Sequence, residues 1–143
     1  MGQAMRSPRS RYYNLLIKQG ATFPGVLRWK LATDETARDY TGYQFRGQLR
    51  KKPGGEIIAT FSCAFLAATT GYHGGISFTL PATITTTIKA NCKLQDIPEG
   101  YQKAPIDDLP GKPYWYDIES ESPTGEVTRE SEGFALVVAE VTA

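Results

Sequence analysis

The sequence predicts an all-β protein in which about seven short strands form an antiparallel sandwich. The chain contains 8 tyrosines and 6 phenylalanines and is rich in threonine, and all three residue types favour strands. Short segments of alternating apolar and polar residues recur along it. The 14 glycines and 9 prolines are scattered between these segments as turn residues. A length of 143 residues indicates one domain with a single core.

The first three predicted strands alternate between inward and outward side chains, which is the period of a half-buried strand. They span residues 12–20, 25–33 and 43–52. The residues predicted to face the core in the second and third strands are Leu27, Trp29, Leu31, Tyr43, Phe45 and Leu49.

Residues 56–67 and 76–81 form the next two predicted strands. The first is apolar on both faces, so we expect it to lie in the centre of a sheet. The second alternates, and its inward residues are Ile76, Phe78 and Leu80.

Residues 82–90 are ambiguous, because threonine and isoleucine favour extended structure. Ile84 and Ile88 are nevertheless spaced by one helical turn, which indicates a short helix. Residues 91–113 contain four prolines and no sustained period. This segment is longer than an ordinary connection, so we expect a binding loop or an insertion.

Residues 114–141 predict the last hairpin, with its turn at residues 123–125. One face of its first strand carries Tyr114, Tyr116 and Ile118, and the other carries Trp115, Asp117, Glu119 and Glu121. The returning strand is predicted to place Phe134, Leu136 and Val138 in the core. The whole pattern favours an immunoglobulin-like layout, with a small barrel as the alternative.

The chain divides into an extended basic arm, residues 1–11, and a sandwich domain, residues 12–143, with the insertion at 91–113. Net charge is +1, but residues 1–93 hold 13 Lys/Arg against 4 Asp/Glu, and residues 94–143 hold 3 against 11. Either the charges balance across a sheet, or the arm docks on an acidic surface of another copy. We expect no direct nucleic-acid partner, because such proteins are basic overall. No apolar run approaches the ~18 residues that span a bilayer, so no membrane association is expected.

The sequence offers few residues for catalysis. His73 is the single histidine and lies between glycines, where we expect a turn residue. Cys63 and Cys92 form no disulfide framework, and no zinc or calcium spacing is present, so no metal and no cofactor are predicted. The carboxylates on alternate residues of the last hairpin are expected to line a solvated face. A small hydrolase using Asp117 or Glu119 is the minority alternative.

Several phrases of the chain, in order, resemble a family of small tailed-phage virion proteins. They are a Gln-Gly-x-Thr-Phe step (residues 19–23), Trp29, a Tyr-Thr-Gly-Tyr step (40–43) into a strand ending in basic residues (46–52), Gly-x-Ile-x-Phe-x-Leu-Pro (75–81), Tyr-x-Tyr-Asp-Ile-Glu (114–119), Gly125 and Val-Thr-Arg (127–129). The resemblance covers roughly residues 15–140 except 91–113, where the family has only a short link.

This resemblance implies an immunoglobulin-like module like those that attach phage baseplate and fibre proteins to the tail. We expect a non-enzymatic tail, neck or baseplate protein, assembled in the host cytoplasm into the virion, whose partners are other phage structural proteins and copies of itself. The alternatives are a capsid decoration protein and a carbohydrate-binding adhesion module using Tyr101 and Trp115. The predicted docking residues are Arg6, Arg9, Arg11, Tyr12, Tyr13, Tyr101, Asp107, Asp108 and Trp115.

We predict that deleting residues 1–11 leaves the domain folded but blocks incorporation into particles. The segment carries charge but no core residues, and such termini seldom support folding. Thermal unfolding followed by circular dichroism checks the first outcome, and mass spectrometry of purified particles checks the second. A lost melting transition in the truncated chain contradicts the prediction.

Overall fold

The protein, described by a computed structural model over residues 11–139, folds into two facing β-sheets. Its strands are β1 (Arg11–Tyr12), β2 (Leu15–Lys18), β3 (Phe23–Leu27), β4 (Gln44–Arg50), β5 (Ile57–Thr60), β6 (Ser62–Leu66), β7 (Gly75–Leu80), β8 (Tyr114–Glu121) and β9 (Val127–Val138). A one-turn helix, α1 (Ala82–Thr85), follows β7. Three 3-10 turns, Leu94–Asp96, Tyr101–Lys103 and Ile106–Asp108, lie between α1 and β8.

The strand order is that of an immunoglobulin-like sandwich. One sheet has the order β1-β9-β8-β4-β5, with β2 beside β1 on the same edge of β9, and the other has the order β3-β7-β6. The N-terminal strands β1 and β2 both run parallel to the last strand, whereas the remaining pairs are antiparallel. The all-β sandwich prediction is confirmed, and the barrel alternative is wrong because the two sheets remain separate.

The core between the sheets is built from the alternating residues that the sequence indicated. Leu49, Ile76, Leu80 and Ile118 are completely buried there. Burying each such side chain contributes roughly 1.5–3 kcal/mol. Phe61, Phe78 and Tyr116 fill the centre, with ring centroids 5.5 to 6.4 Å apart in edge-to-face and stacked pairs.

The prediction of one central strand over residues 56–67 is wrong. This segment forms two edge strands in different sheets, β5 at the end of the larger sheet and β6 at the end of the smaller one. The chain changes sheets at Phe61, which is 4% exposed and donates its N–H to the carbonyl of Gly47 at 2.8 Å. The segment looks apolar on both faces in the sequence because its two halves belong to different sheets.

The second predicted strand is shorter than expected. β3 ends at Leu27, and Leu31 instead donates its N–H to the carbonyl of Gly71 in a neighbouring turn. Trp29 still packs against the core from this loop. The short helix is confirmed as α1, but Ile84 is 38% exposed, and Thr85 and Ile88 are the residues that face inward.

The prediction that Phe134, Leu136 and Val138 face the sandwich core is wrong for Phe134 and Leu136, and Val138, although buried, is not a member of the core cluster between the sheets. Ala135 and Val137 occupy the core side, whereas Phe134 and Leu136 are buried on the outer face of the larger sheet. They are buried because a second apolar layer covers this outer face. Leu109 of the insertion packs on them, and the partly buried residues around them are Leu16, Cys92, Ile97, Tyr101, Ala104 and Trp115.

Two asparagines, one buried and one partly buried, hydrogen-bond the insertion to the larger sheet. Asn14, completely buried, donates from Nδ2 to the carbonyls of Tyr101 and Ala104 and accepts the N–H of Phe134. Asn91 donates from Nδ2 to the carbonyls of Lys112 and Ala135 and accepts the N–H of Val137. Each amide therefore satisfies backbone groups of both the insertion and β9, so the insertion is an integral layer of the fold.

Replacing Asn14 by alanine should lower the free energy of unfolding by about 2–3 kcal/mol, because buried backbone groups lose their partners. Urea denaturation measures the loss. Hydrogen exchange should show the largest increase in residues 101–104, since those carbonyls anchor the insertion. Thr124→Ala, in the exposed hairpin turn, is the control and should stay near wild type. An Asn14→Ala protein as stable as this control would contradict the assignment.

Candidate functional site

Three of the aromatic residues predicted to dock on a neighbour, Tyr12, Tyr101 and Trp115, also make contacts within the chain. The Tyr12 hydroxyl donates to the carbonyl of Ala104 at 2.7 Å, and its ring lies edge-on to Phe134 with centroids 6.3 Å apart. Trp115 packs edge-on against the same Phe134 at 4.5 Å. Tyr101 is partly buried in the same outer layer, and burial raises the pKa of its hydroxyl. The structure thus brings Tyr12, Tyr101 and Trp115 together as packing residues.

The remaining members of the predicted docking set are Arg6, Arg9, Arg11, Tyr13, Asp107 and Asp108. Arg6 and Arg9 lie outside the described residues. Arg11 lies in β1, with its guanidinium 5.8 Å from the centre of the Trp29 ring. Tyr13 follows β1 and lies beneath the ammonium of Lys103 at 5.5 Å. Asp107 and Asp108 are exposed in the last 3-10 turn and remain available to a partner.

An open groove of about 410 Å³ lies on the outer face of the larger sheet. Trp115, Phe134 and Tyr12 give it an aromatic side, and four charged residues surround them: Arg50, Asp117, Arg129 and Glu132. The four charges sum to zero, so the groove suits a neutral polar ligand better than an ion.

The carboxylates of the last hairpin form ion pairs across strands. Arg46 lies 3.0 Å from both Glu119 and Glu121, and Arg129 contacts Asp117 at 3.5 Å and Glu119 at 3.6 Å. This confirms the predicted polar outer face, in which each such exposed pair contributes ~0–1 kcal/mol. The pKa of Asp117 is raised, mainly by burial, with Arg129 acting in the opposite direction.

His73 is a buried structural residue. It is 1% exposed; its Nδ1 accepts the N–H of Arg38 at 2.7 Å, and its Nε2 lies 2.9 Å from Oε1 of Glu35. The backbone N–H of His73 donates to the carbonyl of Trp29. His73 therefore fixes the long loop between β3 and β4 to the turn before β7, which refines the prediction of a simple turn residue.

Sequence reasoning missed the buried carboxylate of Glu130. Ile118 pairs with Ser131 and Glu119 pairs with Arg129, so Glu130 is the extra residue of a β-bulge. Its side chain is completely buried, accepts the hydroxyl of Ser120 at 2.7 Å and lies 3.5 Å from the guanidinium of Arg38. No sequence signal marked this bulge, because Glu130 and Ser131 lie in a run of polar residues and only the structure shows that both are buried.

The surface with the clearest capacity for binding is one side of the sandwich formed by residues 57–66, here called the open edge. It comprises β5 and β6, each the outermost strand of its sheet within residues 11–139. Both lie on the same side, because Phe61 alone separates them. Ile57 and Phe65 are each 45% exposed on this side.

The open edge carries no charged residue and no proline, two of the features that normally protect unpaired strands. Residues 57–88 contain no Asp, Glu, Lys or Arg at all. The opposite edge of the smaller sheet, β3, differs because Pro24 removes a backbone donor there. On the far edge of the larger sheet, Asn14 donates its N–H to the carbonyl of Gln102 in the insertion. Sequence reasoning missed the open edge, whose signal was an absence of charge.

The outer face of the smaller sheet continues this uncharged surface. β3, β7 and β6 are paired so that their outward residues lie side by side. These residues are Pro24, Val26, Ser62, Ala64, Ser77 and Thr79. The face is therefore small, flat and neutral, in contrast to the ion-paired outer face of the larger sheet.

Because burial raises the pKa of Asp117, the contribution of this residue to the free energy of unfolding should depend on pH. A folded-state pKa above the unfolded value means that folding favours the protonated acid, so this contribution is present below the unfolded pKa and is lost as pH rises through the folded pKa. Asp117→Asn should therefore gain stability relative to wild type as pH increases from about 3 to about 7. Urea denaturation across that range measures the difference.

Asp39→Asn is the matched control of opposite sign. Hydrogen bonds from the backbone and hydroxyl of Thr41 lower the pKa of Asp39, so its contribution is present above the unfolded pKa and is lost as pH falls. This variant should lose stability relative to wild type over the same rise in pH. Equal trends in the two variants would contradict the burial of Asp117.

Within residues 11–139, no three His, Cys, Asp or Glu side chains are grouped to hold a metal ion. No helix in that range is long and apolar enough to cross a membrane. No family model matches the chain, and no curated protein matches it.

Proposed function

We propose that the chain is a non-enzymatic structural protein of a tailed-phage particle. It acts in the tail, neck or baseplate, where it docks on neighbouring subunits and helps to attach fibres or spikes. The motifs that resemble small virion proteins, and their order along the chain, support this assignment, and so does the immunoglobulin-like strand order.

The observation that carries the proposal is the open edge. Unpaired N–H and C=O groups on an uncharged strand are a template for another strand, and a protein that stays exposed in solution ordinarily blocks them. Subunits that are permanently assembled have no need of such protection, because a neighbour covers the edge. Strand addition supplies backbone hydrogen bonds, and repetition around a particle makes modest contacts stable.

The alternative of a capsid decoration protein uses the same surface. The two locations differ in stoichiometry: a tail component is present in a few to tens of copies, and a capsid cement in hundreds. Quantitative mass spectrometry of purified particles distinguishes them.

A carbohydrate-binding module is the second candidate, and the groove on the larger sheet favours it. Its volume of about 410 Å³ falls in the range of ligand sites, and an aromatic ring beside neutralised charges suits a sugar. Trp115 lines this groove, but Tyr101 is not among its lining residues. A glycan array with the wild-type protein and Trp115→Ala tests this candidate, since binding should depend on the indole.

The docking proposal predicts that a charge on the open edge blocks assembly. Ile57→Lys should fold normally, because the residue is 45% exposed, and should reduce incorporation into particles by on the order of tenfold or more. Val127→Lys is the control, because Val127 is 49% exposed at the start of β9 and far from the edge in the strand order. Particles that incorporate both variants equally would sink the proposal.

A further inference from the structure

We infer that the partner of the open edge is a second copy of this chain, joined through antiparallel pairing of β6 with the β6 of its partner. This inference rests on the proposed docking function and specifies the docking partner. A two-fold axis at Ala64 would join the two smaller sheets into one continuous sheet with the order β3-β7-β6-β6-β7-β3.

The sequence of β6 is self-complementary in that register. Ala64 faces its own copy on the outer side, where two small side chains meet without a clash. On the inner side, each Phe65 lies opposite Cys63 of the other copy. On the outer side, Ser62 lies opposite Leu66 of the other copy. The ring of Phe65, 45% exposed in the single chain, gains an apolar neighbour, which is the kind of cross-strand pair that stabilises sheets.

Charge selects a copy of this chain over a charged segment as the occupant. β6 and the residues that follow it carry no Asp, Glu, Lys or Arg up to Ile88. A basic or acidic strand placed there would find no opposite charge on β6 with which to pair. A second copy of β6 is itself uncharged, so a pair of β6 strands places no charged side chain on either side of the two-fold axis.

β5 is a poorer site for self-pairing, although it belongs to the same open edge. Its pairing with β4 shifts register between Leu49 and Arg50, and such irregularities twist an edge away from further strands. Lys51, Lys52 and Glu56 lie in the turn just before it. A two-fold axis on β5 would bring these charges toward their own copies.

Analytical ultracentrifugation of the purified chain tests the inference. Wild type should dimerise reversibly. Ala64→Lys, which places two like charges against each other at the axis, should raise the dissociation constant by about tenfold or more. Val26→Lys is the matched control, since Val26 is 55% exposed on the same outer face but lies on β3, and it should dimerise like wild type. A wild-type chain that stays monomeric, or a dimer that Ala64→Lys leaves intact, overturns the inference.

Cross-linking tests the register independently of affinity. Ala64→Cys places a thiol opposite its own copy, so mild oxidation should give a covalent dimer. Ser62→Cys, on the same face, places the two thiols four positions apart along the pair and should not cross-link. The two native thiols contribute little background, because burial raises the pKa of Cys63 to about 11 and also raises the pKa of Cys92. Equal cross-linking of both variants overturns the register.

The two proposals fail separately. If the chain is monomeric in solution and Ile57→Lys still blocks incorporation into particles, the open edge docks on a different protein and only self-pairing is wrong. If the chain dimerises through β6 but particles do not contain it, the phage assignment is wrong and the interface stands.

Discussion

The fold depends on the pairing of β9, because this strand joins every layer of the molecule. Residues 127–135 of this 12-residue strand pair with β8 along one edge, and residues 131–132 and 135–138 pair with β1 and β2 along the other. One face supplies Ala135 and Val137 to the core between the sheets, and the other supplies Phe134 and Leu136 to the layer under the insertion. Residues 133–138 of β9 are buried on both faces, so few of their backbone groups can bond to water and neighbouring segments must supply the partners.

Alternation identified the parts of the fold that have one buried face. β7 and β8 were predictable for this reason, since their inward residues repeat at every second position. The change of sheet at Phe61 was not predictable, because a single residue between two apolar strands leaves no turn signal. The orientation of β9 was also missed, since a hydrophobic pattern does not say which of two layers a large side chain enters. The burial of Phe134 and Leu136 on the outer face could be predicted only by knowing where the insertion packs. The residues of the insertion show no period that would indicate this.

The candidate site shows a related limit of sequence reasoning. Tyr12 and Trp115 suggested contacts with a neighbour, and the sequence did not show that they also make contacts within the chain, Tyr12 with Ala104 of the insertion and Trp115 with Phe134. The open edge carries no motif, and what marks it is the missing charge over residues 57–88. A missing charge becomes informative only when topology shows that the segment is an unpaired edge, because an identical run in a central strand would be ordinary core.

The parallel pairing of the first strands with the last has a mechanical consequence. Leu15 to Lys18 pair with Ala135 to Val138 in register, and β1 joins the same edge beside Ser131 and Glu132. Tension applied through the residues before β1 and after β9 would pull these strands past each other along their length. Hydrogen bonds perpendicular to the pull must then rupture together, whereas an unzipping geometry breaks them one by one. Such a shear clamp would let the sandwich transmit force along its long axis without unravelling.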